Sequence, residues 1–326
     1  RGFGVWSLAW QAIIAIGMRA LLLWVFSHWR PRGRFHIASF RKLFAFGSYM
    51  LMANLLDTLS MRLQALLIGK FFDSSTLGYY TLAQNTQQAP ALFMYGVLNR
   101  VGLPVFAIAS NQPRKMVSAL RMSLRIAMFV FVPCMIGIAV VARSLIVILF
   151  GTRWLPSAPL LSVLAISAVF WPTHLLYVAA INATGRSHAS FHLALMKRGV
   201  MLALIVASAR FGPMAMAWAI LVSSLFGVAI NSWYSRRFLG YGTLAQLQDQ
   251  SATLILSIVA ASVAWLASHW LTYAPLALAV AVVAAALTYL GGAIFGKLAA
   301  WRDLLDLLRA LRSRQATPIG LMGDEV

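Results

Sequence analysis

Long apolar runs, broken at intervals by glycine, proline and arginine, set the pattern of this chain. Nine runs reach or pass the roughly 20 apolar residues needed to cross a bilayer. They fall at 4–29, 40–68, 77–108, 122–150, 157–183, 188–209, 212–234, 250–270 and 275–296. Their length, and the lack of ten-residue alternation, predicts helices rather than barrel strands. Pro31, Gly78, Pro113, Gly151, Pro156, Gly185, Gly212, Gly240 and Pro275 stand at the joints. The expected architecture is all-α, a polytopic membrane helix bundle of about nine transmembrane helices.

Two runs carry polar groups where a span normally has none. The run at 40–68 holds Asn54, Asp57, Thr58, Arg62 and Gln64, and the run at 77–108 holds Gln84, Asn85, Gln87, Gln88, Asn99 and Arg100. A short turn from Lys70 to Gly78 is expected between them. An ionised side chain at the bilayer centre costs about 2.5–3.5 kcal/mol on insertion scales, so such groups face a bundle interior or a wet cavity. Asp57 and Arg62 lie about 140° apart around a helix and do not make the usual i,i+4 pair. Asp57 is expected to find its partner on another helix, with Arg100 and Arg19 as candidates. Gln84, Gln88, Ala91, Tyr95 and Asn99 share one stripe. Pro90 removes a backbone donor near mid-helix and is expected to bend it. A polar path for a ligand and a packed polar seam between helices both fit this pattern.

Composition narrows the class. The chain is 61% hydrophobic and 10% charged, with a mean hydropathy of +0.80, against about 25% charged in soluble domains. The formal charge of +20 comes from 27 Lys+Arg against 7 Asp+Glu. In a membrane chain we read this as loop charge rather than a nucleic-acid surface. One alternating set of connections and the tail collect nineteen basic residues, from Arg30 and Arg41 through Arg121, Arg125, Arg186, Lys197, Arg198 and Arg236 to Arg314. The opposite set has five: Arg1, Lys70, Arg143, Arg153 and Arg210. The positive-inside rule makes the first set, and the C-terminus, cytoplasmic. Nine spans then put Arg1 outside, and with no Met ahead of the first helix the expectation is that preceding helices are absent.

The tail from 297 to 314 places Leu298, Trp301, Leu304, Leu305, Leu308 and Leu311 at helical spacing against Arg302, Arg309 and Arg312. This predicts an amphipathic cytoplasmic helix on anionic lipid, or one docked on a loop. Residues 315–326 are expected to be disordered. Cys134 is the single cysteine, which excludes an internal disulfide. His188 and His192 have i,i+4 spacing but no acid or cysteine beside them, and no metal site or cofactor is expected. His174, within a span, is read as a satisfied core group. No phosphate loop, zinc motif or nucleophile elbow occurs.

Several stretches, in order, resemble a known family. They are Gly2-Phe-Gly-Val-Trp-Ser-Leu8, Leu66-Leu-Ile-Gly-Lys-Phe-Phe72, Leu77-Gly-Tyr-Tyr80, Gly151-Thr-Arg-Trp-Leu-Pro156, Asn182-Ala-Thr-Gly-Arg-Ser187 and Trp233-Tyr-Ser-Arg-Arg-Phe-Leu-Gly-Tyr241. They are similar to Wzx/WzxC-type polysaccharide flippases of the multidrug/oligosaccharidyl-lipid/polysaccharide exporter superfamily. The resemblance implies a two-lobe transporter of fourteen helices. Residues 1–29 would be the last helix of the first lobe, 30–39 a basic cytoplasmic loop and 40–235 a complete six-helix second lobe. A cytoplasmic loop at 236–249 would follow, then two additional transmembrane helices in 250–296. Where the family often has Arg two positions after Gly-Tyr-Tyr, this chain has Leu82.

The resemblance implies flipping or export of an undecaprenyl-diphosphate-linked oligosaccharide across the bacterial inner membrane. Arginine pairs bidentately with phosphates and amides meet sugar hydroxyls. Arg19, Arg62 and Arg100 are then candidates for the diphosphate, and Gln84, Asn85, Gln88 and Asn99 for sugars. Asp57 would balance charge or carry a coupling proton. Polysaccharide polymerase and other assembly proteins are candidate partners. A multidrug exporter of the same superfamily, a membrane-embedded glycosyl- or phosphotransferase, a scaffold and an inactive fragment remain open alternatives. The transferase would need carboxylates near the membrane surface, and the loops offer only Asp73 and Asp249.

Overall fold

The computed structural model describes residues 6–27, 37–109, 113–185, 187–271 and 273–315. Among these, eleven α-helices and two short 3-10 turns make up the ordered structure, and no strand occurs. The helices are α1 (Trp6–Phe26), α2 (Ile37–Phe71), α3 (Ser74–Ala109), α4 (Pro113–Phe150), α5 (Ser157–Ala168) and α6 (Trp171–Ala183). They continue with α7 (Ser187–Ser208), α8 (Pro213–Leu239), α9 (Thr243–His269), α10 (Ala274–Phe295) and α11 (Ala299–Gln315). Two compact units result, Arg1–Gly47 and Ser48–Val326. The first contains α1 and the start of α2. The loop expected at 30–39 and the tail after 315 lie almost wholly outside the described residues.

In the second unit α4 is the central pillar, packing against α3, α5, α6, α9, α10 and α11. It has 38 residues, about 57 Å of helix, against a hydrocarbon core near 30 Å. Its ends therefore project, and the first carries Arg114, Lys115 and Arg121. One apolar cluster joins Ile68, Tyr80, Ile146, Leu161 and Met216 near the Gly151 end of α4. A second joins Phe106, Leu120, Leu124, Tyr177 and Tyr241 near its start. A third, of Met128, Phe131, Met135 and Val169, fills the middle. Outside these clusters the surface stays apolar: Ile255, Ile258, Leu266, Val282, Val283 and Leu287 on α9 and α10 are all exposed. A water-soluble protein does not leave such a surface bare, and lipid is its natural solvent.

Among the described residues, six stretches are long and apolar enough to cross a membrane: Arg114–Phe150, Ser157–Ala183, His188–Phe211, Pro213–Arg237, Thr243–His269 and Ala274–Phe295. The chain is a polytopic helical membrane bundle. The runs expected to span at 4–29, 40–68 and 77–108 are helical where described, as α1, α2 and α3, but they are not among these six stretches.

Three local differences from the expected pattern have physical causes. The span at 157–183 is broken at Val169 and Phe170, because Pro172 at the start of α6 brings no backbone donor. Ser224 of α8 donates to the Ser167 carbonyl at 2.9 Å beside that break. The turn expected from Lys70 to Gly78 contracts to Phe72 and Asp73, because the Asp73 carboxylate accepts from the Ser75 and Thr76 hydroxyls at the start of α3. Those two bonds, Ser75 first, hold the Asp73 carboxyl below its usual range. The loop expected at 236–249 shrinks to 240–242, where Gly240 takes φ 72, a left-handed helix end that favours glycine.

Candidate functional site

The polar run on α2 meets the run on α3 through Gln64. Its buried amide oxygen accepts from Tyr80 Oη at 3.5 Å and from Gln84 Nε2 at 3.4 Å. Gln84 is therefore part of an interhelical seam. Gln87 is also buried, Gln88 is half-buried and Asn85 is exposed. α3 runs through Pro90 as continuous helix. Arg19, in the first unit, is exposed on α1 beside Ala15, Met18 and Leu22. The side chains of Asp57, Arg62, Asn99 and Arg100 lie outside the described residues, although their backbones lie within α2 and α3.

The Gln64–Gln84 contact sets the register of the two helices. Arg62 stands two positions from Gln64, level with this seam. Arg100 stands about 16 positions beyond Gln84, about 24 Å further along α3. A diphosphate is only a few ångströms across, so the two backbone positions are separate levels on one helix pair.

Two groups of charges were missed by the sequence reading. Arg121 of α4 grips Asp249 of α9 bidentately, Nε–Oδ2 and Nη2–Oδ1 both at 2.8 Å. Tyr241 donates to Asp249 Oδ2 at 2.7 Å, and Arg125 Nε bonds Asp303 of α11 at 2.7 Å while its Nη1 lies 3.7 Å from Asp249. Burial first, and then the Asp249 carboxylate, push the Tyr241 hydroxyl well above the usual phenol range. These four charges tie α9 and α11 to the projecting end of α4. The second group is Lys197 and Arg198. They lie mid-way along α7, not in a connection, so they count as intramembrane cations, and the basic excess of the cytoplasmic set falls by two. An uninterrupted run from Leu193 to Ala207, apart from these two residues, carried that signal.

The weaker histidine candidates are accounted for locally. His192 Nδ1 donates to the His188 carbonyl at 2.9 Å and the rings sit 4.3 Å apart. Among the described residues no three His, Cys, Asp or Glu side chains cluster.

The fold and this arrangement define a polytopic helical membrane protein whose second unit is built on α4 and carries a polar seam between α2 and α3. Its backbone matches the lipid II flippase MurJ, inward closed conformation, with a TM-score of 0.65 and 17% identity, over 84% of this chain and 57% of that one. A family model described as polysaccharide biosynthesis protein matches residues 1–159. The chain is 27% identical over 315 residues to the teichuronic acid biosynthesis protein TuaB of Bacillus subtilis, covering 88% of this chain and 64% of that protein. It is 24% identical over 328 residues to the succinoglycan biosynthesis transport protein ExoT of Rhizobium meliloti, covering 98% and 65%. The lipopolysaccharide biosynthesis protein WzxC of Escherichia coli is 24% identical over 233 residues, 70% of this chain and 47% of that protein. The chain thus spans just under two thirds of the length of the first two relatives, and its resemblance to Wzx-type proteins stands.

Proposed function

We propose that this chain forms part of a transporter that flips an undecaprenyl-diphosphate-linked oligosaccharide across the bacterial inner membrane, without chemical change to its cargo. The observation that carries this reading is the match, over 98% of this chain and 65% of the relative, to a protein named for succinoglycan transport. The flippase-like fold accords with it. Residues 40–235 would act as one lobe, α1 as the last helix of the other, and α9 with α10 as an added pair. The C-terminus would be cytoplasmic, and polysaccharide polymerase a neighbour in assembly.

Within this reading Arg62 and Arg100 act in sequence, as two stations about 21 Å apart along the helix axis, and Arg19 provides a further cation on the first unit. Each planar guanidinium matches a phosphate oxygen pair. Exposed Asn85 and half-buried Gln88 are free to meet sugar hydroxyls, with Asn99 deeper along α3. Gln84 holds its place through Gln64. Asp57 offsets part of the positive charge while the path is empty, and Pro90 lets α3 bend during the cycle.

The test is complementation of a flippase-deleted strain by the natural gene. Arg62→Ala or Arg100→Ala should each abolish surface polysaccharide while the protein still reaches the membrane, and Arg→Lys should restore it only in part. If both alanine variants fold and complement fully, the arginines do not carry the cargo.

A further inference from the structure

The second unit also holds a chain of polar groups that the flipping reading leaves unused, with Asn231 buried at its centre and His174 and Lys197 half-buried on either side. Three helices supply one group each: α6 gives His174, α8 gives Asn231 and α7 gives Lys197. Asn231 Nδ2 lies 2.6 Å from His174 Nδ1, and Lys197 Nζ lies 3.3 Å from Asn231 Oδ1. Gly227 makes room for the ring, since a Cβ there would stand 2.7 Å from His174 Cε1. The charges that act on the ring come from Lys197 and Arg198 of α7; among the described residues α3, α4 and α8 add none. Arg198 turns its Nη1 to Met201 Sδ at 3.5 Å.

Donor and acceptor chemistry fixes the direction of this chain. An ammonium only donates, so the Asn231 oxygen faces Lys197 and its NH₂ faces His174. Nδ1 must then accept, which leaves the imidazole neutral with its proton on Nε2. A proton added at Nδ1 would confront the amide N–H. Relief requires the amide of Asn231 to turn over. Its NH₂ then meets Lys197 Nζ, which accepts only after losing a proton. One amide cannot serve two cations.

We propose that His174, Asn231 and Lys197 form a single-proton site where α6, α7 and α8 meet, with the charge on Lys197 or on His174 and never on both. Passing from one state to the other breaks an Nζ–H bond of Lys197, with the proton released to water. An Nδ1–H bond forms on His174 with a proton taken from water, and the amide of Asn231 turns by about a half circle. The net charge of the trio stays at one positive unit. Because the three groups sit on three helices, the two states favour different fits of α6 against α7 and α8. Use of the site to drive transport rests on the flipping reading, whereas the site itself does not.

Histidine-selective nitrogen NMR of the full chain in lipid nanodiscs tests it, with His28, His36, His188, His192 and His269 replaced by Gln. The parent should show a neutral His174, protonated on Nε2, from about pH 5 to 8. Lys197→Met should raise the His174 midpoint by about one pH unit or more, a tenfold gain in proton affinity, and Lys197→Arg should not. Asn231→Asp, which accepts from both neighbours, should give a doubly protonated ring at neutral pH. A parent ring protonated on Nδ1, or a Lys197→Met ring that titrates as the parent does, overturns the proposal. If Lys197→Met fails to fold, Asn231→Asp decides: a ring still neutral there overturns it. None of these outcomes depends on transport, so failure here leaves the flipping reading intact.

Discussion

At position 227 a single hydrogen decides how α8 meets α6. The His174 ring occupies the place a methyl would take, and Asn231 holds it there. The ring cannot swing aside without losing that bond. Gly227→Ala should therefore destabilise the protein by about 1–3 kcal/mol, the usual cost of overpacking. Gly199 of α7 is the matched control, because a Cβ there meets nothing within 4 Å. Gly199→Ala should leave stability unchanged or raise it slightly, through reduced backbone freedom in the unfolded chain. Thermal unfolding of both variants in detergent checks the pair, and equal loss in the two would remove the packing argument. The same residue scale explains part of what the sequence concealed. His174 could be read as a satisfied core group, and its Nδ1 does have a partner in Asn231, although the side chain is only half-buried. Its partner Asn231 lies 57 positions away, and no spacing rule joins residues that far apart.

Among elements, the joint between α4, α9 and α11 depends most on specific charges. Phe129 of α4, Ala260 of α9 and Ala300 of α11 form its apolar part together with Tyr289 and Ala293 of the neighbouring α10, with Trp301 and Leu304 packed alongside. Gly292 lets Leu256 press against α10, where a Cβ would lie 2.4 Å from Leu256 Cδ1. Asp249 and Asp303 then lock the ends of α9 and α11 onto Arg121 and Arg125. Arg121 is 42% exposed but Asp249 only 10%, so removing the acid leaves a half-desolvated guanidinium fork. Asp249→Asn should cost about 1–3 kcal/mol and speed amide exchange in 243–250 and 299–304 before the rest of the bundle loosens. Arg121→Asp combined with Asp249→Arg should recover part of that protection; no recovery would mean that the pair is not the lock. The helices at this joint were legible from apolar length, but the lock was not. Asp249 seemed to sit in a loop of polar residues, because Gln246, Gln248 and Gln250 mask the start of α9. In the structure Gln246 donates to the Tyr241 carbonyl at 2.9 Å and the helix begins at Thr243. The amphipathic pattern of the tail was legible too, yet Trp301 and Asp303 commit its first turns to protein rather than to lipid. On α2 and α3 the polar runs announced a special pair, whereas the partner of Gln84 depended on register, which only tertiary packing sets.

For the whole molecule, orientation in the membrane is the property on which the transport reading depends. Lys197 and Arg198 leave the cytoplasmic tally once α7 is seen to contain them, yet the asymmetry survives. Arg114, Lys115, Arg121, Arg236 and Arg237 still gather at one end of the bundle, against Lys70 and Arg153 near the other. α4 connects the two ends without a break, through Pro133. Ser118 near its start and Thr152 just beyond its end are both exposed. They are separated by about 34 residues of rise, about 51 Å, more than the full thickness of a bilayer with its headgroups. In a Cys134→Ser background, Thr152→Cys and Ser74→Cys should therefore react with a membrane-impermeant maleimide added to spheroplasts. Ser118→Cys should react only after the membrane is opened. The reverse pattern would invert the topology and place the tail, with Arg302 and Arg309, outside. Equal labelling of Ser118→Cys and Thr152→Cys in sealed spheroplasts would mean that α4 does not span the bilayer, and the transport reading would fall with it.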